Sequence, residues 1–175
     1  MRVALFSIAI LSLAATARAE VVDSQPGGFE VREIVDIDAR AAKVWDALGE
    51  IGAWWQSAHT YSGDAKNLSL DLKLGGCFCE RLPGGGGVQH LQVVYVSPSQ
   101  VVRLAGGLGP LQGTGADGHM TLALQDSAGH TAFTLTYDVG GYAKGGLAAL
   151  AGPVDGVLSG QAARLKRYVE TGKPD

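Results

Sequence analysis

Two cysteines, Cys77 and Cys79, are the only thiol residues of this 175-residue chain, and a single residue separates them. On a regular strand their Cα atoms would lie about 6.5 to 7 Å apart, the outer limit for a disulfide, although a bulge would shorten that distance. Three arrangements are open: a disulfide, two packed free thiols, or a metal site. We assign no metal, because the histidines that could complete a zinc site lack ligand spacing: His59, His90, His119 and His130.

A carboxylate and an imidazole form the second group with chemical potential. Residues 77–82 and 88–96 have strand-like sequences around a proline- and glycine-rich turn, which predicts a hairpin. If residue 82 lies opposite residue 88, Glu80 stands directly across from His90, with Cβ atoms about 5 Å apart. Alternation then places Phe78, Glu80, His90 and Gln92 on one face, and Cys77, Cys79, Leu91 and Val93 on the other.

Two roles are open for Glu80 and His90. Inside an apolar cavity they could act as general acid and general base, or could orient a polar group of a ligand. On a solvated sheet face they would form an ordinary cross-strand salt bridge. Serine hydrolysis has no support, because the chain contains no G-x-S-x-G motif. We expect no cofactor, since the glycine run at 84–87 lacks the Lys-Ser/Thr pair and helix start of a phosphate loop.

The elements that must position these residues are mainly strands. Residues 29–37 are predicted to form a strand, and 39–48 a helix with Asp38 as N-cap. Further strands are predicted at 68–72, 77–82, 88–96, 101–105, 119–124 and 131–139. A long amphipathic helix is expected to open at Pro153 and to end near Gly172, after a loop at 140–152. This order predicts an α+β domain whose curved antiparallel sheet buries one face against that helix.

The amino terminus has the pattern of a secretory signal peptide over residues 1–19. Met1 and Arg2 precede an apolar run at 3–15, and an A-x-A cleavage signal follows at 17–19. The run is shorter than the roughly 20 apolar residues of a membrane span, so we expect no stable membrane anchor. The prediction is therefore a periplasmic or secreted protein with one domain, residues 20–175. Cleavage would change the formal net charge from −3 to −5, which argues against nucleic acid as a partner.

Four segments carry a resemblance to a known family: DIDARAAKVWDALGEIGAWW (36–55), LDLKLGGCFCE (70–80), VVYVSPSQVVRLAGGLGPLQ (93–112) and PVDGVLSGQAARLKRYVETG (153–172). They resemble the START-like, helix-grip superfamily abbreviated SRPBCC, in its branch of activator-of-Hsp90-ATPase-homologue-like and polyketide-cyclase-like proteins. The resemblance implies a curved antiparallel sheet wrapped around a long carboxy-terminal helix, with an apolar cavity between them. Members bind lipids, sterols, polyketides or other hydrophobic molecules, and a minority are enzymes. Hsp90 itself is not an expected partner, because an exported protein would not meet it.

Within that resemblance, the family's burial of the aromatic residue after the double glycine favours the face with Phe78, Glu80 and His90 as the inner one. The cysteines stand where related sequences usually carry polar residues, and the superfamily has no shared catalytic signature. Large aromatic residues are candidates to line the cavity, although most large aromatics pack in cores. The predicted ligand-binding residues are Trp54, Trp55, Tyr61, Phe78, Tyr137 and Tyr142.

Three functional hypotheses follow. The first is an exported protein that binds a small hydrophobic ligand, such as a lipid or polyketide, between the sheet and the carboxy-terminal helix. The second is an enzyme of cyclase, isomerase or hydrolase type that uses Glu80 and His90 as acid and base in the same cavity. The third is a module that binds an envelope protein through its outer surface. Fold resemblance alone does not choose among them.

Overall fold

The computed structural model describes residues 18–175, with side chains from residue 20 onward, and confirms the predicted α+β fold class. Eight strands form one antiparallel sheet, and three α-helices cover its inner face. The strands are β1 (Arg18–Gln25), β2 (Gly28–Ile37), β3 (Leu68–Leu70), β4 (Cys77–Arg81), β5 (Gly87–Ser97), β6 (Val101–Ala105), β7 (Gly115–Ser127) and β8 (His130–Tyr142). The helices are α1 (Ala41–Gly49), α2 (Ile51–Trp54) and α3 (Ala148–Thr171).

The sheet has the strand order β1-β2-β8-β7-β6-β5-β4-β3. Inward and outward side chains alternate along β2, β7 and β8, so the apolar residues of these strands share one buried face. The pairing register shifts between β1 and β2, between β4 and β5, and between β5 and β6. Such irregularities bend strands and increase their twist, which curves the sheet around α3.

The carboxy-terminal helix α3 crosses the concave face of the sheet. Its buried residues follow helical spacing: Ala151, Leu158, Gln161, Ala162, Leu165 and Val169. The helix ends, as predicted, at Gly172, whose φ of 77° is the left-handed conformation that glycine adopts without a Cβ clash. Its predicted start is wrong: α3 begins at Ala148 and Pro153 lies inside it. The alanine-rich turn before Pro153 is helical, and β8 extends to Tyr142, so the predicted 140–152 loop shrinks to 143–147.

The amino-terminal half differs from prediction in two further places. Strand β1, which lies at the edge of the sheet beside β2, was not predicted from its mixed sequence. Asp38 is not the N-cap of α1: Arg40 occupies that position without a side-chain cap, and the amide of Ala41 donates to the carboxylate of Asp126 at 3.3 Å. The cap therefore comes from a distant strand, which local sequence rules do not foresee. Most of the predicted signal peptide lies outside the described residues.

Across residues 18–175, none of the helices combines the length and the apolar character that a membrane crossing requires.

Candidate ligand site

A cavity of about 400 Å³ lies between the sheet and the first half of α3. The segment after α2 and the connection between β6 and β7 complete its wall. Its wall is mainly aromatic and aliphatic, and includes Trp55, Tyr61, Phe78, Tyr137, Val154 and Leu158. This volume lies within the range of pockets that enclose small organic ligands.

His90 lines this cavity, and Glu80 contacts it from behind without lining the cavity, but the contact does not follow the predicted register. Glu80 pairs with Val88 across β4 and β5, whereas Phe78 pairs with Leu91, so His90 is the extra residue of a bulge. The predicted pairing of Glu80 directly opposite His90 is therefore wrong. The bulge buries His90 and Leu91 in succession, and it leaves His90 Nε2 only 3.0 Å from Glu80 Oε2.

Glu80 is only 1% exposed, yet its surroundings favour the ionised carboxylate. The main-chain amide of Tyr61 donates to Oε2 at 3.1 Å, and that of Ser62 donates to Oε1. Burial by itself would raise the pKa of Glu80, but hydrogen bonds from Ser62, Tyr61 and His90 outweigh it and hold the pKa below its ordinary value. The segment after α2 thus folds over the strand and neutralises part of the buried charge.

His90 is neutral in this arrangement. It is 4% exposed and lies between two aromatic rings, with centroids 5.0 Å away for Phe78 and 5.9 Å for Tyr61. Burial lowers the pKa of His90, and the hydrogen bond and charge of Glu80 only partly oppose that effect. An ionised Glu80 accepts the hydrogen of Nε2, so the lone pair of the neutral ring is on Nδ1. Nδ1 is buried and has no hydrogen-bond partner.

Tyr137 anchors the opposite wall. Its hydroxyl donates to the carbonyl oxygen of Gly106 at 2.9 Å and accepts from the amide of Leu108 at 3.0 Å. Complete burial raises its pKa to about 12, so the phenol stays protonated. Gly118 makes room for this ring, because a Cβ there would lie 2.4 Å from a Tyr137 ring carbon. Tyr137 therefore holds the connection between β6 and β7 against the cavity.

Of the six aromatic residues predicted to bind ligand, four line the cavity: Trp55, Tyr61, Phe78 and Tyr137. Trp54 and Tyr142 do not. Trp54 is 4% exposed and belongs to the main core, where its Nε1 donates to the carbonyl oxygen of Ala47 at 2.7 Å. Tyr142 is 73% exposed at the end of β8. Position outside long regular elements, which suggested both residues, does not predict which way a side chain faces.

Sequence reasoning missed the contributions of loops and of α3. Thr60, Leu108 and Pro110 line the cavity from irregular segments, and Leu150, Pro153 and Val157 line it from the helix. The helical part had a usable signal, because 150, 153, 154, 157 and 158 follow helical spacing and include positions left over from core packing. The loop residues had none, since their placement depends on tertiary contacts such as the hydroxyl of Tyr137.

The two cysteines of β4 are covalently joined. Cys77 and Cys79 form a disulfide in the structure, with Cα atoms 5.3 Å apart, and no cysteine in residues 18–175 is free. Both cysteines are half-buried, while Phe78 and Glu80, which alternate with them, are buried. The disulfide therefore lies on the face of β4 opposite to the ligand site. Within residues 18–175 no cluster of three His, Cys, Asp or Glu side chains could hold a metal ion.

A second buried carboxyl group, Glu33, lies on the inner face of β2 and is 2% exposed. Its neighbours on α3 are Asp155 and Ser159. Burial first, and the charge of Asp155 second, raise its pKa to about 8, against a smaller lowering by the Ser159 hydrogen bond. Glu33 Oε1 and Asp155 Oδ1 have no hydrogen-bond partner, and neither residue lines the ligand cavity.

No family model matches this chain, and no curated protein matches it. Several solved structures are similar to this chain. The structure of EF2215 from Enterococcus faecalis, a conserved protein of unknown function, has a TM-score of 0.62 at 13% identity and covers 89% of this chain and 78% of its own. CalU16 from Micromonospora echinospora has a TM-score of 0.60 at 14% identity, with coverages of 92% and 88%. DynU16, from the dynemicin biosynthetic locus, has a TM-score of 0.56 at 22% identity and covers 83% of this chain and 48% of its own. These similarities show a shared helix-grip fold, and the fold is compatible with small-molecule binding.

Proposed function

We propose that this protein binds a small hydrophobic molecule, such as a lipid or polyketide, in the cavity between its sheet and α3. The observation that carries the proposal is the cavity of about 400 Å³, which the fold leaves unfilled behind aromatic and aliphatic walls. Close packing is the norm in protein interiors, so a cavity of this size is a feature that a ligand would use. The proposal includes membership of the SRPBCC superfamily, in the branch of activator-of-Hsp90-ATPase-homologue-like and polyketide-cyclase-like proteins that the sequence resembles.

Native mass spectrometry of protein purified from its own cells tests the binding proposal. Bound organic mass that leaves on denaturation is the expected result, and an empty ion that also fails to take up apolar compounds would refute it. Val154→Phe fills the cavity, whereas Val94→Phe makes the same change at a side chain that is 45% exposed and outside the cavity wall. The first variant should lose the bound mass and the second should keep it, with folding of both checked by circular dichroism.

A catalytic function in the same cavity is the second candidate, and one observation favours it. An ionised Glu80 holds His90 through Nε2, and the free Nδ1 lone pair could accept a proton from a substrate, with His90 as general base. The reaction classes that use such a base include cyclisation and isomerisation. Once a ligand is identified, Glu80→Gln and His90→Gln should abolish its turnover; unchanged turnover in both would exclude this role.

We also propose that the protein acts outside the cytoplasm, in the periplasm or medium. Support comes from the charged start, apolar run and A-x-A signal within residues 1–19. Mature protein recovered from the cell envelope or medium should begin at Glu20, and replacing Ala17 and Ala19 with phenylalanine should block cleavage. Recovery of the uncleaved chain in the cytoplasm would contradict the proposal.

A further inference from the structure

Most polar side chains of the cavity wall already have hydrogen-bond partners within the protein. Four lining side chains have an N–H or O–H group that already donates to a main-chain carbonyl oxygen: Trp55 at 3.0 Å, Thr60 at 2.7 Å, Tyr61 at 2.7 Å and Tyr137 at 2.9 Å. Their donor capacity is used within the protein. A ligand that needs a hydrogen bond from the wall would have to break one of these contacts.

The unsatisfied group on the wall is an acceptor, His90 Nδ1. The side chain is 4% exposed, Nε2 is committed to Glu80 at 3.0 Å, and Nδ1 has no partner. A buried acceptor without a partner costs free energy, so native proteins rarely leave one unless a ligand or catalytic step uses it. His90 lines the cavity, so a ligand that reaches Nδ1 from the cavity supplies the missing donor.

The charges around the cavity further restrict the class of ligand that can bind. Glu80 is ionised behind His90, and no lysine or arginine belongs to the cavity lining within the described residues. An acidic ligand would find no lysine or arginine and no spare donor among the buried side chains of the wall, and would meet a buried negative charge of its own sign. His59, the other lining histidine, is exposed to solvent.

From these observations we infer that the ligand is an uncharged apolar molecule with a hydroxyl or N–H group that donates to His90 Nδ1. The inference rests on the proposed binding function and assigns His90 as its specificity residue. Alcohols, phenols and neutral amides qualify. Fatty acids at neutral pH, and ethers or esters without a donor, do not.

Two probe series test this inference by isothermal titration at pH 8. The first comprises biphenyl, 4-hydroxybiphenyl, 4-methoxybiphenyl and biphenyl-4-carboxylate, and the second comprises 1-dodecanol, 1-methoxydodecane and dodecanoate. The hydroxyl member of each series should bind about tenfold more tightly than its methyl ether, because only the hydroxyl pairs the buried acceptor. The carboxylate should be the weakest member of its series.

His90→Phe removes the acceptor, and His119→Phe is the matched control at an exposed histidine outside the cavity lining. In the first variant the preference for hydroxyl over methoxy should disappear while biphenyl still binds, and in the second the preference should remain. A measurement on the unmodified protein does not depend on variant folding. With ¹⁵N-labelled histidine, His90 should show a protonated Nε2 and an unprotonated Nδ1, and the Nδ1 resonance should shift with 4-hydroxybiphenyl but not with its methyl ether.

The outcomes separate this inference from the proposed function. Binding of apolar probes without a hydroxyl preference, or a proton on Nδ1 in the NMR spectrum, would overturn the inference and leave the binding proposal standing. Failure of every probe in both series, together with an empty native ion, would overturn the binding proposal and the inference with it.

Discussion

Among the side chains of residues 20–175, Glu33 and Glu80 are the two buried carboxyl groups on the inner face of the sheet, and their pKa values are shifted in opposite directions. They are 2% and 1% exposed, so burial does not distinguish them. Glu80 receives two main-chain amides and a histidine, and its pKa is lowered. Glu33 faces a second carboxyl group, Asp155, and its pKa is raised to about 8. The comparison shows that burial raises the pKa of an inward glutamate unless hydrogen-bond donors, as at Glu80, outweigh it.

The two sites also differ in what their charge states allow. An ionised Glu80 fixes the tautomer of His90 and so leaves a buried lone pair without a partner beside a ligand cavity. A protonated Glu33 can share a hydrogen with its neighbours on α3, and it avoids a pair of repelling charges between the helix and β2. Glu80 therefore orients a residue of the ligand cavity, whereas Glu33 allows α3 to pack against the sheet.

The largest effect should come from Glu80→Gln. The amide cannot accept from Tyr61, Ser62 and His90 as the carboxylate does, and its NH₂ group opposes one of those donors. We expect the free energy of unfolding at pH 7 to fall by about 3 kcal/mol, the scale of lost charge-assisted hydrogen bonds. Urea unfolding followed by circular dichroism measures it. Because the folded-state pKa of Glu80 is lowered, its stabilisation is lost as pH falls below about 4, and the gap to the wild type should close there.

Glu33→Gln should have the opposite sign and the opposite pH dependence. The pKa is about 8 in the folded protein and about 4.5 in the unfolded chain, so between these values the folded state retains a proton that the unfolded state has lost. The free energy of unfolding of the wild type therefore decreases as pH rises through this window, whereas that of Glu33→Gln does not. We expect it to be more stable than wild type by about 2 kcal/mol at pH 9 and by nothing at pH 4.

The control for Glu33→Gln is Glu30→Gln, on the same strand, where Glu30 pairs with Arg32 at 2.6 Å and both are partly exposed. This variant should change stability by less than about 1 kcal/mol at every pH. Equal pH profiles for wild type and Glu33→Gln would show that Glu33 is ionised in the folded protein, and the contrast with Glu80 would fail.

Removal of the disulfide tests how much the outer face of β4 contributes to the stability of the fold. Its closed loop is short, so Cys77→Ala with Cys79→Ala should lower the free energy of unfolding by about 1.5 kcal/mol. The Glu33→Gln effect should be unchanged in this background, because the disulfide lies on a distant strand. Thermal unfolding with and without a reductant gives an independent check. An unchanged Tm in the presence of reductant would contradict a stabilising disulfide.

The smallest expected effect is the coupling energy between the substitutions at Glu33 and Glu80. Glu33 and Glu80 share no hydrogen-bond partner and lie on strands at different ends of the sheet order. The changes caused by Glu33→Gln and Glu80→Gln should therefore add within about 0.5 kcal/mol in the double variant. A larger coupling energy would mean that α3 transmits the state of one site to the other, and would favour a mechanical link between helix packing and the cavity.

Local patterns in the sequence predicted much of the fold. Strands β2, β4, β5 and β6 were predicted within about two residues of their ends. Period-2 alternation and the turn residues between strands carry that information locally. Strand β1 was missed because pairing with β2 outweighs its local propensity. The start of α3 was missed because Pro153 was taken as its first residue, although the alanine-rich turn before it favours a helix. The site was foreseen in part: Glu80 and His90 were paired by a wrong register, and a bulge brought them together.

Local patterns alone indicate the fold class, the amphipathic carboxy-terminal helix and the residue types available for chemistry, because periodicity and turn chemistry are local properties. The folded arrangement was needed to establish which carboxyl group is ionised, that Cys77 and Cys79 are joined, and that Trp54 belongs to the core whereas Trp55 lines the cavity. Those outcomes depend on groups far apart in the chain, such as Ser62 beside Glu80 and Asp155 beside Glu33. Electrostatic and hydrogen-bond environments are sums over spatial neighbours, and the neighbours exist only once the chain has folded.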